Sequence, residues 1–246
     1  MKFIYLILIF LFAVAGCQTM EPSTAKISSD ILRREVLATD LSFDAQAGEI
    51  KYTLPEPALV RIWIGLKDGG PLLRTLLDWE PRSAGEHVEV WDGKDSTGLI
   101  NFGNKNNLML VLGALTLDSG KNSEILSSTT LRGFQKSPEF KIDFPESQKK
   151  SSEGVPMIRG ISPVRITLSE RDKEWLTRTK YEIGLYLDEV YLTEDEEGTS
   201  PFTYPLDTRN MNNGRHILTV NIVSFTGEIG TQTIYLIVNN QTRQEQ

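Results

Sequence analysis

The residues that most often perform catalysis or bind metals are scarce in this chain. Its 246 residues include two histidines, His87 and His216, and a single cysteine, Cys17. This inventory is too small for a multi-histidine metal site, an internal disulfide or a haem attachment motif. A Ser-His-Asp triad would need one of these histidines, and no Gly-x-Ser-x-Gly nucleophile elbow accompanies them. We therefore expect a protein that is not an enzyme and has no metal site or cofactor, with each histidine hydrogen-bonded near a strand end.

Residues 194–197 form the densest acidic stretch, Glu-Asp-Glu-Glu. Their spacing is not that of an EF-hand, and a glycosidase pair would need a cleft and one carboxyl group with a raised pKa. We expect these side chains to be solvated at a hairpin tip or in the loop after it. The spacing leaves calcium binding open.

The charge balance argues against nucleic acid as a partner. The chain has Lys+Arg 26 against Asp+Glu 33, a formal net charge of -7, whereas binding to phosphates requires a basic surface. Apolar residues make up 39% and aromatic residues 9% of the chain, values typical of a folded protein.

Aromatic side chains on an outer face are candidates for contact with a partner protein or a glycan. In the strand-like run 60–64 the β-branched residues share one face, so Arg61 and Trp63 should lie on the opposite, outward face. Phe202 and Tyr204 follow the acidic stretch in a loop that combines apolar and polar residues. We predict these four residues, Arg61, Trp63, Phe202 and Tyr204, as the partner-binding set.

The N-terminus has the pattern of an export signal. Lys2 is followed by an apolar run, residues 3–14, and then by Ala15, Gly16 and Cys17. The run is shorter than the ~20 residues of a membrane-spanning helix and fits a cleaved signal peptide. The residues 14–17 resemble the lipobox of bacterial lipoproteins, which implies cleavage before Cys17 and acylation of that cysteine. By the same resemblance, Gln18 favours sorting to the outer membrane of a Gram-negative bacterium.

The rest of the chain divides into a polar tether and a long β-rich region. Residues 17–39 are mostly polar, with two possible helical turns over residues 30–37 that begin at Asp30. Beyond residue 40 the apolar periodicity is mostly two, with short runs separated by Gly, Pro, Asn and Asp. This pattern predicts an all-β protein with strands at 49–54, 59–66, 72–77, 86–91, 108–117, 140–144, 164–168, 181–187, 190–193, 216–223 and 231–238.

The first β-rich half resembles a known family. Five blocks in order, residues 50–58, 60–64, 73–76, 84–87 and 91–98, are similar to the Ig-like domain of the flagellar hook-capping protein and its relatives in exported bacterial proteins. The resemblance covers residues 43–117 and implies an Ig-like β-sandwich. One residue and one segment depart from the family pattern. Glu89 replaces an apolar residue, and the run 101–107 replaces a shorter segment that leads into the last strand.

The second half resembles bacterial Ig-like domains over residues 160–240, chiefly in the run 213–220 that opens a central strand. We therefore predict two tandem Ig-like β-sandwiches after a cleaved lipoprotein signal peptide. The polar segment between them leads us to expect that they fold independently. The predicted divisions are a signal peptide 1–16, a lipidated tether 17–39, a first domain 40–118, a linker 119–138, a second domain 139–240 and a tail 241–246.

These features together favour a lipid-anchored binding or scaffolding protein of the cell envelope, an accessory subunit of a larger envelope complex. Its partners would be the membrane, through the lipid anchor, and an unidentified envelope protein or glycan. The alternative hypothesis is a glycan-binding accessory lipoprotein. An exposed row of coplanar aromatic rings would favour the glycan, and an apolar patch or an open sheet edge would favour a protein.

Replacement of the predicted anchor tests the N-terminal assignment. Cys17→Ser should release the protein from membranes or leave it unprocessed, because the acyl chains that hold it there can no longer be attached. Membrane fractionation with mass measurement checks this. Membrane association of the variant at the normal mature size would place the anchor elsewhere.

Overall fold

The computed structural model describes residues 33–117, 136–145, 147 and 150–240. The predicted signal peptide, Cys17, most of the predicted linker and the C-terminal tail lie outside these ranges. Over the described residues, no helix is both long and apolar enough to cross a membrane.

The N-terminal part forms a two-sheet β-sandwich, called here the first sandwich (residues 33–117). One sheet has the strand order β1-β7-β4-β5 and the other the order β2-β3-β6. The strands are β1 Arg33–Glu35, β2 Thr39–Asp44, β3 Glu49–Leu54, β4 Ala58–Leu66, β5 Leu72–Arg82, β6 Gly85–Val90 and β7 Leu108–Leu117.

Alternating apolar side chains of both sheets fill the core of the first sandwich. On β4, Val60, Ile62 and Ile64 face inward, as the period-two pattern predicts. The facing sheet contributes Ile50 and Tyr52 of β3. Other members of this core are Leu54, Leu66, Leu73, Trp91, Ile100, Phe102 and Ala114.

The turn after β6 is organised around a buried carboxylate. Asp95 is fully buried, and its side chain accepts hydrogen bonds from the backbone N–H groups of Thr97, Leu99 and Ile100. Gly98 takes a φ of 71°, in the left-handed region that favours glycine. Hydrogen bonds from the backbone to a buried side chain therefore hold this turn.

The C-terminal part forms a second two-sheet unit, called the second sandwich (residues 136–240). Its sheets have the orders β13-β10-β8 and β12-β11-β14-β15-β9, with β9 parallel to β15. Its elements are β8 Phe140–Asp143, β9 Met157–Ile158, β10 Ile161–Leu168, α1 Glu170–Thr179, β11 Tyr181–Leu187, β12 Val190–Asp195, β13 Phe202–Asp207, β14 Gly214–Ser224 and β15 Ile229–Val238. The all-β class with two tandem sandwiches is thereby confirmed.

Helix α1 is fixed at its start by a buried network around Asp172. Ser169 is the N-cap and accepts a hydrogen bond from the Asp172 N–H. The Asp172 carboxylate accepts bonds from the Glu139 N–H at 2.8 Å and from the Trp175 Nε1 at 3.0 Å. Burial disfavours the charged carboxylate, but these bonds and those from Arg171 outweigh it and lower the pKa of Asp172 to about 2.

The structure differs from the sequence-based expectation at several elements. The helical turns predicted over 30–37 are wrong where the structure describes them, because Arg33–Glu35 pairs as a strand with β7. Val36 is buried in the first core, so the folded unit includes residues that the sequence assigned to the tether. The strands β1, β2, β9 and β13 and the helix α1 were not predicted.

The low pKa of Asp172 predicts a pH-dependent contribution to stability. Because this pKa lies below that of the unfolded chain, ionised Asp172 stabilises the fold above pH ~4, and that contribution is lost as the pH falls towards 2. The difference in free energy of unfolding between the wild type and Asp172→Asn should therefore shrink over this interval in urea titrations. The control Glu174→Gln, on the exposed part of the same helix, should show no such change, and parallel curves for wild type and Asp172→Asn would contradict the prediction.

Candidate interaction surfaces

The predicted face around Arg61 and Trp63 has the expected register but a different environment. Trp63 lies opposite the inward-facing residues of β4, as predicted, and is half-buried. Arg61 is only 3% exposed, so the expectation of an outward, solvent-facing arginine is wrong. The reason is that the turn between β14 and β15, more than 160 residues further along the chain, covers this face.

Arg61 is held by groups from both sandwiches. Its guanidinium contacts Asp78 Oδ1 of β5 through Nε at 2.9 Å and through Nη2 at 2.8 Å. From the second sandwich, the Gly227 carbonyl accepts a bond from Nη1 at 3.2 Å. The guanidinium carbon lies 4.4 Å from the ring centroid of Trp79 and 5.3 Å from that of Trp63, within cation–π range.

The electrostatics at this position follow from burial. Burial lowers the pKa of Arg61, while Asp78 and, more weakly, Glu228 oppose that change. Glu228 is itself buried and accepts hydrogen bonds from the hydroxyls of Ser224 and Thr226. Arginine stays protonated in proteins, so Arg61 is a buried cation between carboxylates of the two sandwiches.

The contacts between the two sandwiches around Arg61, called here the junction, extend to the start of β5. The Asn221 side chain accepts a bond from the Leu72 N–H at 2.8 Å and donates one to the Leu72 carbonyl at 2.9 Å. Thr231 Oγ1 also donates to that carbonyl. Ile217 and Tyr235 of the second sandwich pack against the core of the first. The β14–β15 hairpin therefore replaces solvent over part of the first sandwich.

Phe202 and Tyr204 lie on β13 rather than in a loop. Both are half-buried and pack against the core of the second sandwich. Their predicted role in partner binding remains a prediction, and the structure gives them packing contacts in that core.

The acidic stretch lies only partly in a loop: Glu194 and Asp195 end strand β12, and Glu196 and Glu197 lie in the loop after it. Thr199 closes this loop by donating its N–H to Asp195 Oδ2 at 3.1 Å. Across the sheet, burial raises the pKa of Glu182, and the nearby carboxylates of Glu194 and Glu196 raise it further. Within the residues that the structure describes, no group of three or more His, Cys, Asp or Glu side chains is placed to hold a metal ion.

Two tyrosines outside the predicted partner-binding set lie beside these carboxylates. Tyr186 of β11 pairs in register with Tyr191 of β12. Their ring centroids are 6.0 Å apart at an interplanar angle of 77°, an edge-to-face contact. Tyr191 is 50% exposed. The signal for this surface was present in the alternation of residues 181–188, where Tyr186 falls on the same face as Glu182.

We name this region the tyrosine–glutamate face: Glu182, Tyr186, Tyr191, Glu194 and Glu196. It occupies the outer side of β11 and β12. The next strands of the same sheet, β14 and β15, place Asn221 and Thr231 against the first sandwich. The outer side of this sheet therefore contacts the first sandwich at β14 and β15 and is open to solvent at β11 and β12.

The histidines lie in different sandwiches and are hydrogen-bonded, as expected. His87 Nε2 lies 2.8 Å from the Ser83 carbonyl, and its ring stacks on Tyr52. His216 Nδ1 lies 2.6 Å from Asp188 Oδ2 and its Nε2 2.9 Å from the Asn212 carbonyl. Burial lowers the pKa of His216, but these two acceptors outweigh it and raise the pKa.

An open groove of about 660 Å³ follows the three-stranded sheet of the second sandwich. Its charged lining is internally paired: Arg165 bridges Asp143 at 3.0 Å, and Glu139 is bridged by Arg171 at 3.1 Å.

No family model and no curated protein matches this chain. Among solved structures, it is similar to the fibronectin(III)-like modules of Clostridium thermocellum CbhA, with 12% identity and a TM-score of 0.32 over 86% of this chain and 97% of that one. An endo-beta-1,4-mannanase from Thermotoga petrophila shows 15% identity and a TM-score of 0.31 over 42% of this chain, which spans only 20% of the mannanase chain. At such low TM-scores these similarities assign neither family nor function, and the resemblance to the hook-capping domain stays a prediction.

Removal of the buried guanidinium should destabilise the protein strongly. Arg61→Met leaves Asp78 without its cation and should lower the free energy of unfolding by about 3–5 kcal/mol. Arg209→Met is the matched control, since Arg209 pairs with Asp207 at the surface, where ion pairs contribute little. Urea unfolding measures both variants, and equal stability of the two would contradict this account of Arg61.

Proposed function

We propose that this protein is a lipid-anchored, non-catalytic binding and scaffolding component of the cell envelope. Three features support the proposal: the lipobox around Cys17, the scarcity of catalytic residue types, and two sandwiches joined by buried contacts. The anchor would hold the chain at the outer membrane of a Gram-negative bacterium, and the joined sandwiches would present a surface to another envelope component.

The proposal that this protein binds a partner rests on the tyrosine–glutamate face. Tyrosines in the centre of a patch supply contact area at low entropic cost, and they are enriched at binding hot spots. Burial raises the pKa of Glu182, and the carboxylates of Glu194 and Glu196 raise it further, so a cationic group placed among these side chains would relieve their mutual repulsion. The partner is therefore a protein that presents Lys or Arg around an apolar contact.

The geometry of the two rings favours a protein over a glycan. A sugar-binding platform needs rings that lie in one plane, whereas Tyr186 and Tyr191 meet at 77°. Apart from Tyr191 and Phe225, the highly exposed large hydrophobic residues in the described part of the chain are aliphatic, and they include Val88, Val90 and Val190 on β6 and β12. Aliphatic residues on edge strands are typical of contacts with proteins.

A capture experiment with matched variants tests this function. Lipidated protein would be cross-linked in envelopes, solubilised in detergent, and its partners identified by mass spectrometry. Tyr191→Ala should weaken binding of the identified partner by about tenfold or more, and binding should fall as salt is raised. Because Tyr191 lies on an edge strand and is half-exposed, the variant should keep the wild-type melting temperature.

Phe225→Ala is the control, since Phe225 is more exposed than Tyr191 but lies in the β14–β15 turn. Equal losses for the two variants would remove the tyrosine–glutamate face as the site. Salt-insensitive binding to isolated envelope polysaccharide, lost in Tyr191→Ala, would support the glycan-binding alternative instead.

A further inference from the structure

Strand β6 is an open sheet edge. In its sheet it pairs with β3 alone, in unbroken register over all six residues. Val88 and Val90 are 56% and 69% exposed on its outer side. Natural sheets protect such edges with prolines, bulges, covering segments or charged side chains; β6 contains no proline and pairs without a bulge, and its charged side chains are Glu86 and the inward-pointing Glu89.

The other long edge strands of the described residues carry such protection. The β13 edge contains Pro205, which has no N–H to donate. The pairing of β12 is bulged near Tyr186, and that of β2 is irregular between Thr39 and Ser42. The start of β5 is capped by Asn221. β6 is therefore the regular edge strand that the described structure leaves open.

The direction of the backbone groups of β6 follows from one bond. Trp91, directly after the strand, donates its N–H to the Gly48 carbonyl in line with the β3–β6 register. In an antiparallel ladder, backbone groups alternate between the two sides of a strand. The N–H and C=O groups of Glu86, Val88 and Val90 therefore point away from β3, towards the open edge.

We propose that two copies of this chain associate through β6, antiparallel about a two-fold axis at Val88. In this register Val88 meets Val88 of the second copy, and Glu86 meets Val90 of the second copy. These are the residues whose backbone groups point outward, so each opposed pair exchanges two hydrogen bonds. The two three-stranded sheets become one continuous six-stranded sheet.

Charge complementarity favours a second copy of this chain as the partner that pairs with the open edge of β6. In this register His87 lies opposite Glu89 of the second copy, and no carboxylate faces another carboxylate. Moving the axis to Glu89 would oppose two glutamates directly, which destabilises a sheet pair. Glu89 is already held on the inner side by Arg82 at 2.7 Å and by the Tyr52 hydroxyl at 3.0 Å, so its position beside the edge is fixed. A shared membrane would concentrate the anchored copies and favour this pairing.

Sedimentation of the mature chain tests the proposal. Residues 17–246, expressed without the predicted signal peptide and with Cys17→Ser as background, should show a concentration-dependent monomer–dimer equilibrium. Val88→Lys places two cations opposite each other on the axis and should weaken dimerisation by about tenfold or more. Val190→Lys alters a similarly exposed valine on β12, 68% exposed, and should leave dimerisation unchanged. Melting temperatures confirm that both variants are folded.

Cysteine cross-linking gives a second readout. Because Cys17 is the only cysteine, Val88→Cys in the Cys17→Ser background carries a single thiol. A short bis-maleimide should join two copies through position 88, and the corresponding Val190→Cys variant should not cross-link. A chain that stays monomeric at the highest soluble concentration, equal dimerisation of the two lysine variants, or cross-links at position 190 but not at 88 would overturn the proposal.

Discussion

A guanidinium ion can be removed from water only where anions, carbonyl groups and ring faces take the place of its hydration shell. Arg61 meets this requirement because two separate parts of the chain come together around it. Asp78, Trp63 and Trp79 belong to the first sandwich, and the Gly227 carbonyl belongs to the second. With the second sandwich absent, the same arginine would lose a hydrogen-bond partner and the turn that excludes solvent from it.

The contact between the two sandwiches determines which surfaces are covered and which remain exposed for binding. The β14–β15 hairpin lies over the outer side of β4 and caps β5 through Asn221, which leaves Arg61 buried and Trp63 half-buried on the face that the sequence favoured as a binding site. The same sheet continues beyond the hairpin to β11 and β12, where Tyr191 and its neighbouring carboxylates face solvent. On the far sheet of the first sandwich, β6 keeps an open edge because nothing in the described chain pairs with it.

The strands that were predicted well are those whose alternation alone decides their conformation. β3, β7 and β11 have the predicted bounds, since period-two patterning and β-branched residues are local signals. Helix α1 was missed because its evidence lies in the cap, Ser169 followed by Asp172 three residues later, and not in apolar periodicity. The side of β4 on which Trp63 lies was predicted correctly from the register. The packing of the β14–β15 turn over that side was not predicted, because no local sequence pattern shows which distant segment packs there.

The buried contacts around Arg61 should make the two sandwiches unfold as one unit. Native-state hydrogen exchange of the mature wild-type chain in increasing denaturant tests it directly, with probes such as Ile62 in the first core and Val220 in the second. If the two sandwiches unfold together, slowly exchanging amides of both cores should converge on one free energy of opening and one denaturant dependence. Two distinct free energies, one for each core and each with a smaller denaturant dependence, would contradict it and support independent folding.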